Sequence, residues 1–341
     1  MSTKAWLSKK LDNNKILCQA CSQVCKLNEG EYGICGVRRV EGGELRLLVY
    51  GLAAAVNIDP IEKKPLYHFL PNSSVFSVGT VGCNFACSFC QNYDISQSPK
   101  DSQHNISGKQ LLPQDIVQLA LDNGCKSIAY TYNEPVIFFE YTYDTAKLAQ
   151  EHGLKNLYVT SGYETHKAID LIEPYIDAMN IDIKSFSDKF YQDLCGAKLK
   201  PVLETVRYAH KKGIWIEITT LIISGKNDSD DEIRSIAKFI AELDNSIPWH
   251  LSAFHPTYKM KDRPRTPLST LLRAYDIAKE EGLKYIYIGN VSHEDYQSTY
   301  CPNCHRRVIN RDGSRREHID NKLDENGTCP YCSTLLDGVW K

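Results

Sequence analysis

Three closely spaced cysteines, Cys83, Cys87 and Cys90, constrain this chain more than any other feature of its sequence. They lie in the run GCNFACSFCQN with the spacing C-x3-C-x2-C, and we call residues 83–90 the central cysteine loop. A closed zinc site has four protein ligands and a fully ligated iron–sulfur cubane has four thiolates, whereas this loop supplies three. The loop therefore predicts a metal centre with one open position, where a reactant can bind.

Length and charge limit the kind of protein that carries this loop. The 341 residues, 42% of them hydrophobic, can bury an enzyme-sized core with small appendages. A net charge of -2 indicates neither a nucleic-acid coat nor an anionic membrane as a partner. No stretch approaches the roughly 20 apolar residues of a membrane span, so we expect a cytoplasmic enzyme without a membrane partner. Thirteen cysteines, mostly at metal-ligand spacings, favour reduced thiolates over disulfides.

Short β-rich runs alternate with helical patterns through the middle of the chain, an order typical of a parallel βα sheet. The predicted strands cover residues 75–78, 127–132, 157–160, 178–183, 214–223, 250–254 and 285–288. The predicted helices cover residues 114–123, 135–151, 201–212, 230–243 and 267–280. This pattern indicates an α/β fold, a full or partial (βα) TIM-type barrel, in which the loops after the strands form the ligand site.

Two cysteine-rich pieces flank the predicted barrel, so we expect an N-terminal segment (1–73), a core barrel (74–297) and a C-terminal domain (298–341). In the N-terminal segment, Cys18, Cys21, Cys25 and Cys35 supply four thiolates, enough to close a metal site. Zinc and an auxiliary iron–sulfur cluster both accept four thiolates, and the spacing does not separate them. Free thiols are the third alternative.

The C-terminal cysteines form two matched C-P-x-C knuckles, CPNC and CPYC, and resemble a zinc ribbon. We therefore expect Cys301, Cys304, Cys329 and Cys332 to hold a structural zinc. The few apolar residues nearby cannot stabilise a fold of this size alone, so the metal should hold it together.

A local basic cluster lies between the two knuckles: Arg306, Arg307, Arg311, Arg315 and Arg316. Such charges are usually a solvated face, and no row of aromatic residues for base stacking accompanies them. A nucleic-acid partner is therefore not expected. An RNA-modifying enzyme recruited by the ribbon remains an alternative.

The central cysteine loop, with Phe89 at the aromatic position of C-x3-C-x-aromatic-C, resembles that of the radical S-adenosylmethionine (SAM) superfamily. The resemblance implies that the three cysteines hold a [4Fe-4S] cluster whose fourth iron binds the amino and carboxylate groups of SAM. It also implies reductive cleavage of SAM to methionine and a 5′-deoxyadenosyl radical, with an electron donor such as flavodoxin or ferredoxin. The radical would abstract hydrogen from an unidentified small-molecule or protein substrate. A zinc knuckle or structural thiols are the alternative.

Four further residues match segments that contact SAM in the superfamily, and the resemblance implies the same roles here. Glu134, after the second predicted strand, would meet the SAM ammonium, although helix capping by Asn133 also explains this segment. Asp182 and Lys184 share one face of the fourth strand and look like the Asp-x-Lys of glycyl-radical activating enzymes; a structural ion pair is the alternative. Ser161 stands in a turn similar to the family's Thr-Asn-Gly turn.

Across nearly the whole chain, the sequence resembles the radical SAM enzymes of the AmmeMemoRadiSam system, relatives of pyruvate formate-lyase activating enzyme. Three stretches carry this resemblance: CGVR (35–38), DPIEKKPLYHFLP (59–71) and CQNYDIS (90–96). The substrate of that family is not settled, so the resemblance identifies the chemistry better than the reaction.

Two other functions remain open. A glycyl-radical enzyme activase is disfavoured because such enzymes often carry an arginine on the fifth strand, where this chain has Glu217 and Thr219. A zinc-dependent binding or scaffold module, in which the eight flanking cysteines carry the function, is an alternative of a different class.

His255, after the sixth predicted strand, is a candidate cavity residue, although a lone histidine is more often structural.

Overall fold

The computed structural model of the chain describes residues 2–12, 14–100, 104–291, 293–311 and 319–341. Its strands are β1 (Thr3–Lys4), β2 (Ser8–Lys10), β3 (Ile16–Cys18), β4 (Lys26–Leu27), β5 (Arg38–Glu41), β6 (Glu44–Leu47), β7 (Leu52–Ala53), β8 (Ala55–Pro60), β9 (Ser74–Gly79), β10 (Lys109–Gln110), β11 (Ser127–Tyr130), β12 (Lys155–Thr160), β13 (Ala178–Asp182), β14 (Trp215–Ile222), β15 (Trp249–Ala253), β16 (Ile286–Gly289), β17 (Thr299–Tyr300), β18 (Arg307–Arg311) and β19 (Ile319–Asn321). Its α-helices are α1 (Tyr93–Ser96), α2 (Pro113–Asp122), α3 (Phe139–Glu151), α4 (His166–Ile172), α5 (Asp188–Phe190), α6 (Leu199–Lys211), α7 (Asp230–Asp244), α8 (Leu268–Glu280) and α9 (Glu294–Gln297). Short 3-10 turns lie at Ile61–Lys63, Ser98–Lys100, Pro135–Phe138 and Glu173–Tyr175, and a π-helical turn lies at Tyr191–Cys195.

An eight-stranded sheet in the order β16-β15-β14-β13-β12-β11-β9-β8 forms the body of the molecule. Strands β9 and β11 to β16 run parallel, and β8 lies antiparallel to β9 at one edge. Within the described chain, the outer strands β16 and β8 do not pair, so the barrel is partial. The carboxyl ends of the parallel strands meet at one edge, where their loops converge.

The helices between the strands turn an apolar stripe towards the sheet and a polar face outwards. In α7, the Ser229 hydroxyl caps the first turn by accepting a hydrogen bond from Glu232 N at 3.3 Å, and Ile233, Ile236 and Ile240 are buried. The strands beneath are nearly continuous apolar runs, as in β11 (SIAY), because both of their faces are covered.

The N-terminal part packs on the barrel through a buried ion pair. This part folds as two small antiparallel sheets, β1-β6-β5 and β2-β3-β4. Arg38 in β5 and Glu140 in α3 are both buried, with 2.6 Å between Arg38 Nη2 and Glu140 Oε2. Arg38 Nε donates to Ile137 O at 2.8 Å, and Glu140 Oε1 accepts from Trp6 N at 2.9 Å. The pair and its hydrogen bonds fix the N-terminal part against α3.

The segment after β8 joins the barrel to the C-terminal part. Glu217 in β14 accepts backbone hydrogen bonds from Tyr67 N at 2.9 Å and His68 N at 2.8 Å. On the other side, Val339 N donates to His68 O and Leu70 N donates to Val339 O, both at 2.7 Å. The C-terminal part, which contains the sheet β17-β18-β19, is therefore attached directly to the segment that enters the barrel.

The parallel strands agree with the sequence prediction within a few residues at each end. The predicted helices correspond to α2, α3 with the turn before it, α6, α7 and α8. Among the longer elements, the sequence does not predict α4 or the edge strand β8. In β8, Val56, Asn57 and Ile58 are all exposed, so this strand lacks the alternation of apolar and polar residues that marks a half-buried strand.

Candidate active site

The central cysteine loop follows β9 at the carboxyl edge of the sheet. Cys83, Cys87 and Cys90 line one cavity of about 300 Å³ together with Phe89. Phe85 N lies 3.4 Å from Cys83 Sγ and donates to it. The loop thus directs three sulfur ligands into one space.

The surroundings of these three thiols disfavour the thiolate form. Burial raises the pKa of Cys83 and of Cys90. The neighbouring Cys195 side chain and burial together raise the pKa of Cys87 well above its ordinary value. Such thiols become thiolates when a positive charge lies beside them, and a bound metal supplies that charge. The loop therefore fits a metal centre.

The loop fits a cluster better than a single ion. Within the described residues, the C-terminal cysteines are the only group of metal-ligating side chains close enough together to hold one ion. A [4Fe-4S] cubane binds each thiolate through a different iron, so its sulfur ligands lie farther apart. Three converging but separated thiols are what such a cluster with one open iron requires.

Three predicted SAM contacts, Ser161, Asp182 and Lys184, line the same cavity as the cysteines. They lie at or just beyond the carboxyl ends of β12 and β13, near β9 in the sheet. Lys184 Nζ is 2.7 Å from Asp182 Oδ2. Burial lowers the pKa of Lys184, but Asp182 and then Cys87 outweigh it and raise the pKa well above its ordinary value. The cavity therefore presents a fixed ammonium beside a carboxylate.

Glu134 lies behind the cavity wall and is not among the residues lining the cavity. Its Oε2 accepts a hydrogen bond from Ser161 N at 2.9 Å. Thr160 Oγ1 lies 2.6 Å from an Oε1 atom of both Glu134 and Glu164. Burial, and then the nearby Glu164, raise the pKa of Glu134. In this structure Glu134 holds the backbone of Ser161, which does line the cavity.

We expect the pair Glu134 and Glu164 to make the metal-free protein less stable as the pH rises. Burial raises both pKa values, so the folded protein keeps protons that the unfolded chain releases above the ordinary glutamate pKa of 4.5. The free energy of unfolding should therefore fall as the pH rises from about 4.5 through neutrality. Measured by urea unfolding at several pH values, the free energy of unfolding should fall less steeply with pH for Glu164→Gln than for the natural protein. An identical pH dependence in both proteins would contradict the raised pKa values of this pair.

Glu217 and Thr219, both in β14, lie in two different places. Glu217 does not line the cysteine cavity; its Oε2 lies 2.7 Å from His250 Nε2, and it also holds the segment after β8. Burial raises the pKa of Glu217, but the hydrogen bond with His250 and its charge lower it overall. Thr219 does line the cysteine cavity. His255 is partly exposed and does not line the cysteine cavity.

The cavity has asparagine residues that the sequence does not single out as ligands. Asn92 Nδ2 donates to Tyr132 O at 2.7 Å, and Asn133 Nδ2 donates to Gly82 O at 2.8 Å. Asn133 Oδ1 is buried without a hydrogen-bond partner in the described chain, so it is an open acceptor. Asn290 follows β16 directly, and its place after a parallel strand is the signal that could have identified it.

A smaller cavity of about 110 Å³ adjoins the first. The two share four lining residues: Lys63, Pro65, Ser252 and Asn290. The smaller cavity is also lined by Glu62, Tyr67, His250 and Arg311. Barrel, connecting segment and C-terminal part therefore all contribute to its wall.

Arg311, from β18, carries a buried charge into this smaller cavity. Its Nη1 donates to Thr299 Oγ1 and its Nη2 to Tyr67 O, each at 2.7 Å. Its guanidinium carbon lies 4.3 Å from the centre of the Tyr67 ring. Arg311 Nε and Glu62 Oε2 are buried, and neither has a hydrogen-bond partner among the described residues. Arg311 Nε lies 3.8 Å from Glu62 Oε1, so the two side chains form a buried ion pair within this wall.

The four C-terminal cysteines converge on one point. Cys301 Sγ lies 3.5 Å from Cys332 Sγ, and Cys304 Sγ lies 3.8 Å from Cys329 Sγ. All four sulfur atoms lie within 4.8 Å of one another. This group can hold one metal ion.

Of the predicted basic cluster, the structure describes Arg306, Arg307 and Arg311. Arg315 and Arg316 lie outside the described residues. Arg311 is buried, and Arg307 forms an ion pair with Glu294. The described arginines therefore offer little support for an RNA-binding surface.

The N-terminal cysteines lie in and beside the sheet β2-β3-β4. Cys18, Cys21 and Cys35 are buried, and Cys25 is partly exposed. All thirteen cysteines are free thiols in this structure. No helix in the described part of the chain is both long enough and apolar enough to span a bilayer.

Comparisons with known proteins agree with the site. A model of the Radical SAM superfamily matches residues 77–240. The chain is 43% identical over 337 residues to uncharacterized protein MJ0808 of Methanocaldococcus jannaschii, covering 98% of this chain and 99% of that protein. It is 21% identical over 188 residues to pyruvate formate-lyase 1-activating enzyme of Escherichia coli K12, covering 53% of this chain and 74% of the enzyme.

A solved structure bears on the fold. The crystal structure of a radical SAM methyltransferase from Sphaerobacter thermophilus superimposes with a TM-score of 0.51 at 19% identity, covering 64% of this chain and 67% of that chain. The match supports the partial barrel. With the superfamily match across the central cysteine loop and the full-length similarity to MJ0808, the chain belongs to the radical SAM superfamily.

Proposed function

We propose that this chain is a radical SAM enzyme of the AmmeMemoRadiSam type that abstracts hydrogen from a small polar substrate. The pair of adjoining cavities carries this proposal. The three thiols of the central cysteine loop would hold a [4Fe-4S] cluster beside SAM in the larger cavity, and the substrate would occupy the smaller one. When bound, the cluster and SAM supply reductive cleavage of SAM and a radical that takes a hydrogen atom from a nearby carbon.

The residues of the larger cavity suit the charged end of SAM. The Lys184 ammonium attracts a carboxylate, and Asp182 at 2.7 Å holds that ammonium in place. Ser161 offers its hydroxyl from a backbone that Glu134 fixes. We infer that Glu134 acts as a positioning residue for Ser161.

The smaller cavity suits a substrate with both hydrogen-bond donors and acceptors. Arg311 and Glu62, with 3.8 Å between Nε and Oε1, place a guanidinium and a carboxyl group in its wall. The ring of Tyr67 and the side chain of His250, both buried, form a further part of the wall. Exclusion of water is what a radical reaction needs from the protein, because water competes for reactive intermediates.

A glycyl-radical activase is the second candidate, and the similarity to pyruvate formate-lyase 1-activating enzyme favours it. Such an enzyme must admit a segment of a partner protein. Here, Arg311 and the segment after β8 close the smaller cavity, and Glu217 is already engaged by Tyr67, His68 and His250. These contacts favour a small substrate.

Anaerobic turnover tests the proposal. Reconstituted protein reduced with dithionite should convert SAM to methionine and 5′-deoxyadenosine. An activase would also generate a glycyl radical on a partner protein, visible by electron paramagnetic resonance. Protein with a verified three-thiolate cluster that makes no 5′-deoxyadenosine would refute the proposal, and protein purified without air that holds zinc but no iron would support the scaffold alternative.

We also propose that the C-terminal cysteines hold zinc. With Zn–S bonds of about 2.3 Å, tetrahedral geometry places sulfur atoms about 3.8 Å apart, close to the separations of 3.5 and 3.8 Å in this group.

Because Val339 and Arg311 tie this part to the barrel, removal of zinc by a chelator should loosen Trp340 from its contact with His68. Trp340 fluorescence should change with release of about one zinc per chain. Zinc release without a spectral change would contradict this coupling.

A further inference from the structure

The four N-terminal cysteines lie near one another. Cys18 ends β3, and its backbone N donates to Cys25 O at 2.9 Å, which closes the loop that carries Cys21. Cys18 also lies within electrostatic range of both Cys21 and Cys35. Two separate turns of the chain thus bring four sulfur ligands to one mostly buried place.

The separation of these sulfur atoms differs from that of the C-terminal set. The C-terminal sulfur atoms lie within 4.8 Å of one another, whereas no three of the N-terminal cysteines meet the condition for a single ion in the described chain. Thiolates that lie near one another without meeting the condition for a single ion suit a cubane, in which each sulfur binds its own iron. We call this N-terminal set the expanded site.

The expanded site lies directly against the central cysteine loop. Gly82 has φ of 92°, and a Cβ atom there would lie 2.6 Å from Cys35 O. Glycine is required at this position because the two cysteine segments touch. Gln23 Nε2 donates to Asn84 O at 2.8 Å, which ties the N-terminal loop to the residue after Cys83.

Asn84 lies between the two cysteine sets. Cys83 Sγ is 3.8 Å from Asn84 Oδ1, and the Asn84 side chain also interacts with Cys21. Asn84 is 1% exposed, and its Nδ2 has no hydrogen-bond partner among the described residues. The Asn84 side chain therefore contacts one cysteine of each set, which places the N-terminal set directly beside the central cysteine loop.

We propose that Cys18, Cys21, Cys25 and Cys35 hold a second [4Fe-4S] cluster, fully ligated by thiolates and adjacent to the central cysteine loop. All four irons would have a cysteine ligand, so this cluster has no open position for SAM. The proposal goes beyond the proposed function and does not depend on any SAM-cleaving activity.

Metal analysis of a variant without the central thiols tests the proposal. The variant Cys83→Ala/Cys87→Ala/Cys90→Ala, purified and reconstituted without air, should keep about four iron and four sulfide per chain, besides about one zinc. After reduction, its electron paramagnetic resonance signal should not change when SAM is added. A variant with about two zinc and no iron, or with no metal besides one zinc, would overturn the proposal.

Two further measurements test the proposal even if that variant misfolds. The natural protein should contain about eight iron and one zinc per chain, whereas a zinc-filled N-terminal site predicts about four iron and two zinc. The variant Cys18→Ala/Cys21→Ala should lower the iron content by about half and leave a signal that still responds to SAM. An iron content of about four in the natural protein would reject the second cluster even if SAM cleavage is normal.

Discussion

Replacing Cys87 by alanine should lower the rate of SAM cleavage by more than about 100-fold, because even residues that only orient metal ligands contribute 10- to 100-fold. Cys87 lines the larger cavity between the other two cysteines of the central cysteine loop. Without it, two thiolates remain, too few to retain a cubane with a single open iron. The measurement is 5′-deoxyadenosine formed per chain under dithionite in the absence of air.

Cys125→Ala is the matched control for this loss. Cys125 is buried beyond α2 and is absent from the lining of both cavities. This variant should keep its iron content and its SAM cleavage. If Cys87→Ala retained a tenth or more of the natural rate at normal iron content, the ligand role of Cys87 would be wrong.

Replacing Arg38 by methionine should lower the free energy of unfolding by about 3–5 kcal/mol, the usual cost of leaving one partner of a buried ion pair alone. Arg38 and Glu140 are 2% and 1% exposed, so water cannot compensate the remaining carboxylate. The change would also release Ile137 O from its hydrogen bond with Arg38 Nε. Chemical unfolding of the metal-free protein provides the measurement.

The double variant Arg38→Met/Glu140→Leu separates charge from packing. It removes both charges and should recover part of the loss, because apolar replacements of a buried pair are often neutral. The exposed pair Lys189 and Asp193 supplies the matched surface control, and Lys189→Met should leave the free energy of unfolding unchanged. A loss for Arg38→Met no larger than that for Lys189→Met would contradict the structural role of the buried pair.

Most strands of the barrel can be predicted from the sequence because they are buried on both faces. Runs such as SIAY in β11 and WHLSA in β15 are entirely buried, and apolar residues at such positions leave a clear pattern. The same topology explains why Ser161, Asp182 and Lys184 meet the cysteines. Parallel strands end at one edge, so residues that follow different strands converge there.

The remaining parts of the site depend on contacts between distant segments. Arg311 donates to Tyr67 O across 244 positions of the chain, and no local pattern indicates such a pair. Glu217 anchors the backbone of Tyr67 and His68 across 150 and 149 positions of the chain. Glu134 has the expected place in the sequence, yet its carboxylate points to Ser161 N behind the cavity wall.

Electron–nuclear double resonance with isotope-labelled SAM tests most directly whether the central cysteine loop leaves one iron open for SAM. In the reduced natural protein, we expect magnetic coupling between the cluster and both the amino nitrogen and the carboxylate oxygen of SAM. The coupling should be absent from Cys87→Ala. A reduced natural protein that binds SAM without any such coupling would contradict the assignment of SAM to the open position.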